Sequence, residues 1–244
     1  MLAMLAPRRR ASPQLCRTVL RLCLVEMGRG LRLLIVALFG LVVAGGGLAA
    51  QTTERIDRVI PFGDGGRVEL RTFSGHVRIT GTDRDEVVIR AVRRAPHDLL
   101  SRVKLEIRES RAVIEIVANQ LRRTWRDWFR SDKGDVVETD FEIEVPRDTD
   151  LAVRVFSSPV AIERVQGDHD VGTFSGNVEI RLSDSAAADV EFRSESGRLS
   201  SDEPLIFRHR NRRRLAAVLN DTGRTQHRRK LRFKTFSGDV TLRR

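Results

Sequence analysis

The sequence predicts an all-β fold: a parallel β-helix-like solenoid of stacked Ser-Gly rungs, with an N-terminal section of antiparallel strands. Three observations predict it. The phrase Thr-Phe-Ser-Gly occurs three times, starting at Thr72, Thr173 and Thr235, and each copy runs into an apolar alternation: Val77 and Ile79, Val178 and Ile180, Val240 and Leu242. Self-similarity on this scale marks architectures in which like units stack. Apolar residues also alternate with polar ones before and between the copies, which is the strand signature, and beyond residue 50 only 121–130 carries a helical period.

The first 50 residues read as a leader. Within it, 27–50 has the plan of a secretory signal peptide: Arg29 and Arg32 precede an apolar core from Leu33 to Ala44, and Gly47-Leu48-Ala49 fits the small-x-small cleavage rule. The mature chain is therefore expected to begin at Ala50 or Gln51. Met27 is a natural start codon, since residues 1–26 resemble neither leader nor domain. The apolar core is short for a spanning helix and ends in a glycine cluster. Both cysteines, Cys16 and Cys23, lie in this leader, which leaves no thiol chemistry beyond it. The net charge of +11 shrinks as well, because the chain after residue 50 keeps 37 of the 44 Lys and Arg but 32 of the 33 Asp and Glu. That balance, with export, argues against a nucleic-acid partner.

Residues 51–146 are expected to form the N-terminal β section, with alternation at Val103, Leu105 and Ile107, at 113–117, and at Phe141, Ile143 and Val145. A Trp-containing insertion at 119–134 interrupts it, and the turn cluster Pro146-Arg147-Asp148-Thr149-Asp150 closes it. Residues 147–244 carry tandem rungs, with weaker copies at Val155-Phe156-Ser157-Ser158-Pro159 and Arg193-Ser194-Glu195-Ser196-Gly197, and room for another around Asn220-Asp221-Thr222-Gly223. Gly75, Gly176, Gly197 and Gly238 read as turn residues that supply a positive φ at no steric cost. One unit cannot bury its own apolar face, so the Phe73-type rings, with Val and Ile, are expected to fill a stacked interior.

The order of signal peptide, alternating strands, an apolar strand ending in proline (Phe141-Glu142-Ile143-Glu144-Val145-Pro146) and tandem Ser-Gly rungs resembles the putative adhesin family of bacterial exported β-solenoid domains, from about residue 50 to 244. The resemblance implies a parallel β-helix-like fold and a place at the cell envelope, periplasmic or extracellular. It implies no catalytic residue and no cofactor. The chain departs from the pattern at Ser158-Pro159, where glycine is usual, and in the very basic stretch from Arg208 to Lys234.

Candidate chemistry divides into sites the residues argue against and surfaces they leave open. Ser74, Ser175 and Ser237 recur, whereas a nucleophile is needed once, with a base and oxyanion donors beside it; repetition favours turn chemistry and a hydroxyl ladder. His76, His97, His169, His209 and His227 lack zinc spacing and read as surface residues. Asp168-His169-Asp170 reads as a turn, because adjacent strand residues point to opposite faces. Asp83, Asp85 and Glu86 lack the glycine and closing Glu of a calcium loop. Glu179, Glu191 and Glu195 are outward acids of the kind a carbohydrate-active β-helix enzyme would use, and that enzyme is one alternative; a partner-binding domain in envelope signalling is another.

Two surfaces stay open. Trp125, Trp128 and Phe129 share a helical face with Leu121 in the insertion, as an aromatic contact or a cap over the stack. Arg208, Arg210, Arg212, Arg213 and Arg214, with Arg228, Arg229, Lys230 and Arg232 beyond, form the strongest charge run after the leader. Such a run suits an anionic polysaccharide, a membrane surface or an envelope protein, or else an edge that blocks strand pairing. The function expected from the sequence is a non-catalytic binding or structural module.

Overall fold

Every second side chain along most strands is buried, and this alternation assembles two sheets around a shared core. The computed structural model describes residues 51–63, 65–119, 136–182, 187–219 and 228–244. The leader, the residues Trp125, Trp128 and Phe129, and the rung expected at 220–223 lie outside the described residues. The described strands belong to one compact unit, Ala50–Arg244.

The chain begins with β1 (Gln51–Pro61), β2 (Arg67–Thr72), β3 (Val77–Thr82) and β4 (Glu86–Pro96), then a short helix α1 (His97–Arg102). There follow β5 (Glu106–Glu109), β6 (Val113–Val117), β7 (Glu138–Pro146), β8 (Asp150–Val155), β9 (Val160–Glu163), β10 (His169–Thr173) and β11 (Val178–Arg181). The last strands are β12 (Ala188–Ser194), β13 (Leu199–Ser201), β14 (Leu205–Arg210), β15 (Arg214–Leu219), β16 (Arg229–Thr235) and β17 (Val240–Arg243). One sheet has eight strands in the order β1-β4-β7-β3-β9-β11-β17-β13; the other has nine in the order β14-β15-β12-β16-β10-β8-β2-β6-β5. The fold is all-β with two large mixed sheets.

Each Thr-Phe-Ser-Gly turn carries the chain from the nine-stranded sheet to the eight-stranded one, as from β2 to β3. Inward residues before the turn (Val68 and Leu70) and after it (Val77 and Ile79) join one core with their counterparts in the other units. Burying an aliphatic or aromatic side chain of this kind contributes roughly 1.5–3 kcal/mol, so the core is the main force holding the two sheets together. Like positions sit side by side in parallel pairs: Val171 is opposite Val153 and Phe233, and Ile180 is opposite Ile162 and Leu242.

Two expectations need correction. The strand-turn-strand units do not stack in chain order, because β16 lies between β10 and β12, and β17 between β11 and β13. The hairpin of β14 and β15 occupies one edge of β12 in antiparallel pairing, and β16 fills the opening between β12 and β10 with parallel pairs on both sides. This places the verbatim copy at Thr235 against the verbatim copy at Thr173, while the copy carrying Glu195 goes to the end. The section expected to be antiparallel is in fact mixed. β4 pairs antiparallel with β1 and β7, but β2 pairs parallel with β6 and β8, and β3 parallel with β7 and β9. The reason is that β2 and β3 are themselves a Ser-Gly unit and continue the stack.

A second small cluster, Ala95, Leu99, Leu100, Val103 and Val137, packs α1 against the first sheet. Arg93 is buried beside it, donating to the Val103 carbonyl oxygen and pairing with Glu54 at 2.5 Å.

Candidate functional site

Period two sets the geometry of the turns: the residue before each phenylalanine points inward, so the phenylalanine points outward. Thr72, Val155, Thr173, Ser194 and Thr235 are buried, whereas Phe174 is 37% and Phe236 50% exposed. The rings stack in a column outside the core: Phe73 on Phe156 at 4.6 Å, Phe156 on Phe174 at 4.7 Å, and Phe174 on Phe236 at 4.7 Å. The expectation that these rings fill the interior is thus wrong. Neighbouring strands are about 4.8 Å apart, so equivalent rings on adjacent units meet at stacking distance.

The four glycines answer to two constraints. Gly75 answers to both: it has φ of +106°, the left-handed backbone that the turn reading required, and a Cβ there would also fall well inside 3.0 Å of the Thr139 carbonyl oxygen. Gly176, Gly197 and Gly238 have no such φ; there a Cβ would fall well inside 3.0 Å of the carbonyl oxygen of Ser158, Gly238 and Gly176 respectively. At those three the stack's spacing, not the turn, demands glycine.

The turn hydroxyls are engaged locally. Thr173 Oγ1 accepts the Gly176 N–H at 2.7 Å, and Ser194 Oγ accepts the Gly197 N–H at 2.6 Å. Ser175 donates to Ser157 Oγ, and Ser237 to the Phe174 carbonyl, both at 3.4 Å. After the glycines, Asn177 Oδ1 accepts the Asp239 N–H at 3.1 Å and Asp239 Oδ1 the Arg198 N–H at 2.8 Å. Asp140 plays this part for His76, accepting its N–H at 2.8 Å. Burial alone would raise the Asp140 carboxyl's pKa, but its bonds to Arg94 and His76 outweigh that and hold it below its ordinary value.

The residues of the basic run are separated by the fold. Asn211 Oδ1 accepts the N–H groups of Arg213 and Arg214, turning the chain between β14 and β15, so Arg212 and Arg213 sit at a hairpin tip. Arg208 lies 3.7 Å from Asp189, Arg213 2.6 Å from Glu195, and Arg214 3.0 Å from Glu191; Arg210 lies over the Phe207 ring. Arg228 is mostly buried, 3.8 Å from Asp189. Arg229 turns inward and donates to the Val165 carbonyl at 2.9 Å, and burial pulls its pKa down. Lys230 remains exposed, and with Arg232 and Lys234 it forms an outward row on β16. Arg232 and Lys234 are the residues that counting charges undervalued; their signal is alternation, Lys230-Leu231-Arg232-Phe233-Lys234.

The acids once weighed for catalysis are closed in ion pairs: Glu179 with Arg181 and Arg243, Glu191 with Arg193 and Arg214, Glu195 with Arg213. Asp83 pairs with Arg147 at 2.6 Å, and among the described residues no three His, Cys, Asp or Glu side chains gather as metal ligands. His169 departs from its reading as a surface residue. It is 1% exposed and lies in register between Leu151 and Leu231 inside the core, and burial followed by the Arg229 charge lowers its pKa to about 3. No helix among the described residues is long and apolar enough to cross a membrane.

Two large mixed sheets joined by repeated turns define the class, an all-β module with almost no helix. The chain belongs to the Toastrack DUF4097 family, whose model matches residues 67–243. This agrees with the resemblance read from the Ser-Gly rungs. Its fold is similar to that of a putative cell adhesion protein from Clostridium sporogenes, with TM-score 0.54 and 9% identity over 79% of this chain and 99% of that one. A putative adhesin from Bacteroides fragilis aligns at 9% identity over 78% of this chain and 97% of that one, with TM-score 0.25. No curated protein matches the chain in sequence.

Proposed function

We propose that this Toastrack domain is an exported, non-catalytic, adhesin-like module that meets an anionic partner at the cell envelope, and that its paired sheets act as a short parallel solenoid of Ser-Gly rungs. The observation that carries the reading is the row of exposed cations on one strand, β16. Lys230, Arg232, Lys234 and Arg212 make no ion pair with a described residue, while the neighbouring acids Asp170, Asp189 and Glu191 are engaged by other arginines. The recurrence of Ser74, Ser175 and Ser237 at equivalent corners supports a structural use of serine over a catalytic one, and the leader supports export. Cell fractionation with sequencing of the mature N-terminus tests export: the reading expects a chain starting at Ala50 or Gln51 outside the cytoplasm, and a full-length cytoplasmic product overturns it. Retention on an immobilised polyanion should fall steeply as salt shortens the Debye length from about 10 Å at 0.1 M to about 3 Å at 1 M.

A further inference from the structure

We infer that the outward face of β16, together with the open face of Phe236, is a binding site for a linear acidic polysaccharide; the inference rests on the anionic-partner reading above and locates it. Lys230, Arg232 and Lys234 alternate with buried Leu231, Phe233 and Thr235, and Phe236 is the next outward residue. Successive outward side chains on a strand lie about 6.8 Å apart, so Lys230, Arg232 and Lys234 form a row of about 14 Å, and Phe236 follows in the turn just beyond the strand. Of the acids beside the row, Asp170 is closed on Arg154 at 2.8 Å, Glu191 on Arg193 at 2.7 Å and Asp189 on Arg208 at 3.7 Å, while Asp168 accepts the backbone N–H of Lys230 at 2.8 Å. Opposite Lys234 stands Gly172, whose missing side chain leaves room that the Arg154 side chain fills.

Phe236 ends the aromatic column. One face of its ring is stacked on Phe174, but the next unit carries Glu195 where the others carry phenylalanine, so among the described residues no ring lies on the other face. Glu195 is drawn to Arg213 at 2.6 Å. The electron-rich face of such a ring attracts the C–H edge of a sugar, as it attracts other positive edges. The face also decides between polyanions. Duplex DNA carries a charge every ~1.7 Å of its axis and would meet the carboxylates of Asp170 and Glu191 throughout. A polyuronate spaces one carboxylate per sugar and offers hydroxyls between, which interleaved carboxylates can accept.

The test uses the full chain without its leader and three probes: polygalacturonate, duplex DNA, and vesicles containing phosphatidylglycerol. Affinity electrophoresis at low salt should detect binding to polygalacturonate above the other two. The double variant Arg232→Ser with Lys234→Ser, and separately Phe236→Ser, which leaves the charge unchanged, should each weaken that binding about tenfold or more, with circular dichroism unaltered. Replacing Arg213 and Arg214, whose charges are held by Glu195 and Glu191, with Ser should change it by less than about threefold. If the wild type binds polygalacturonate but the β16 and Phe236 variants bind as well as it does, this site is wrong and the anionic-partner reading stands. Preference for DNA or vesicles also overturns the site. Binding to none of the three overturns both.

Discussion

Phe236 stacks on Phe174 with ring centres 4.7 Å apart and planes tilted by 4°, although the whole of β11 to β16 separates them in sequence. The column thus records the order in space, not the order in the chain. Among the described residues Phe174 has a ring on each side, Phe156 and Phe236, whereas Phe236 has a ring on one side. Aromatic pairs contribute about 0.5–1.5 kcal/mol beyond burial. Phe174→Ala should therefore cost about twice what Phe236→Ala costs in urea denaturation. A double-mutant cycle between Phe174 and Phe236 should yield a coupling of about 1 kcal/mol, and one between Phe73 and Phe236 should yield none within about 0.3 kcal/mol.

Glycine at 176 is required by the Ser158 carbonyl, and this separates two explanations of its cost. If turn conformation were the constraint, alanine would be tolerated better than valine. Because the collision begins at the Cβ, Gly176→Ala should already lose about 1–3 kcal/mol, as overpacked sites do. Gly63→Ala, where a Cβ meets nothing within 4 Å, should change stability by less than about 0.5 kcal/mol. Equal melting temperatures for the two variants would contradict the close approach.

Removing β16 and β17 tests the stacking order. In a stack built in chain order, loss of the last unit trims an edge and leaves the remainder folded, since each unit contacts only its neighbours. Here the same deletion, from Arg229 onward, takes β16 from inside the nine-stranded sheet and β17 from between β11 and the edge strand β13 of the other, and strips β10, β11, β12 and β13 of a partner. The truncated chain should lose its cooperative urea transition. A truncated chain that melts cooperatively, with a proportionally smaller slope, would mean that the terminal unit sits at an edge.

How much of this was legible follows from which physics each feature obeys. Alternation is local, so the strands around Val77 and Ile79, or Phe141 and Ile143, could be read directly, as could the family. Stacking order is not local. Nothing near Thr235 states that β16 enters between β10 and β12, where Thr235 stands opposite both Thr173 and Ser194 and Phe236 stacks on Phe174. The positive φ expected of four glycines holds at Gly75 and not at Gly176, Gly197 or Gly238, because a close approach between distant units leaves the same mark in the sequence as a positive φ. The basic run misled for a related reason: Arg229 and Lys230 are adjacent in sequence, but on a strand one faces the Val165 carbonyl and the other faces solvent.

His169 gives the last prediction, and alternation again explains its place. With Val171 and Thr173 it forms the inward side of β10, at the position where β8 has Leu151 and β16 has Leu231. Burial, then the Arg229 charge, lowers its pKa from 6.5 to about 3. In the unfolded chain the imidazole takes up a proton as pH falls through 6.5, while in the folded chain it stays neutral until about pH 3. The unfolded state therefore binds more protons throughout that window, so stability falls as pH falls from 6.5 towards 3, by about 1.4 kcal/mol per pH unit once well below 6.5. Between pH 7.5 and pH 5 the loss from this one group should be about 2 kcal/mol. Leucine fits the apolar row on either side and carries no proton. His169→Leu should match or exceed the wild type at pH 7.5 and should be more stable than it by about 2 kcal/mol at pH 5, measured by urea denaturation at both values. The same loss of stability on acidification in both proteins would show that His169 is not the group that titrates.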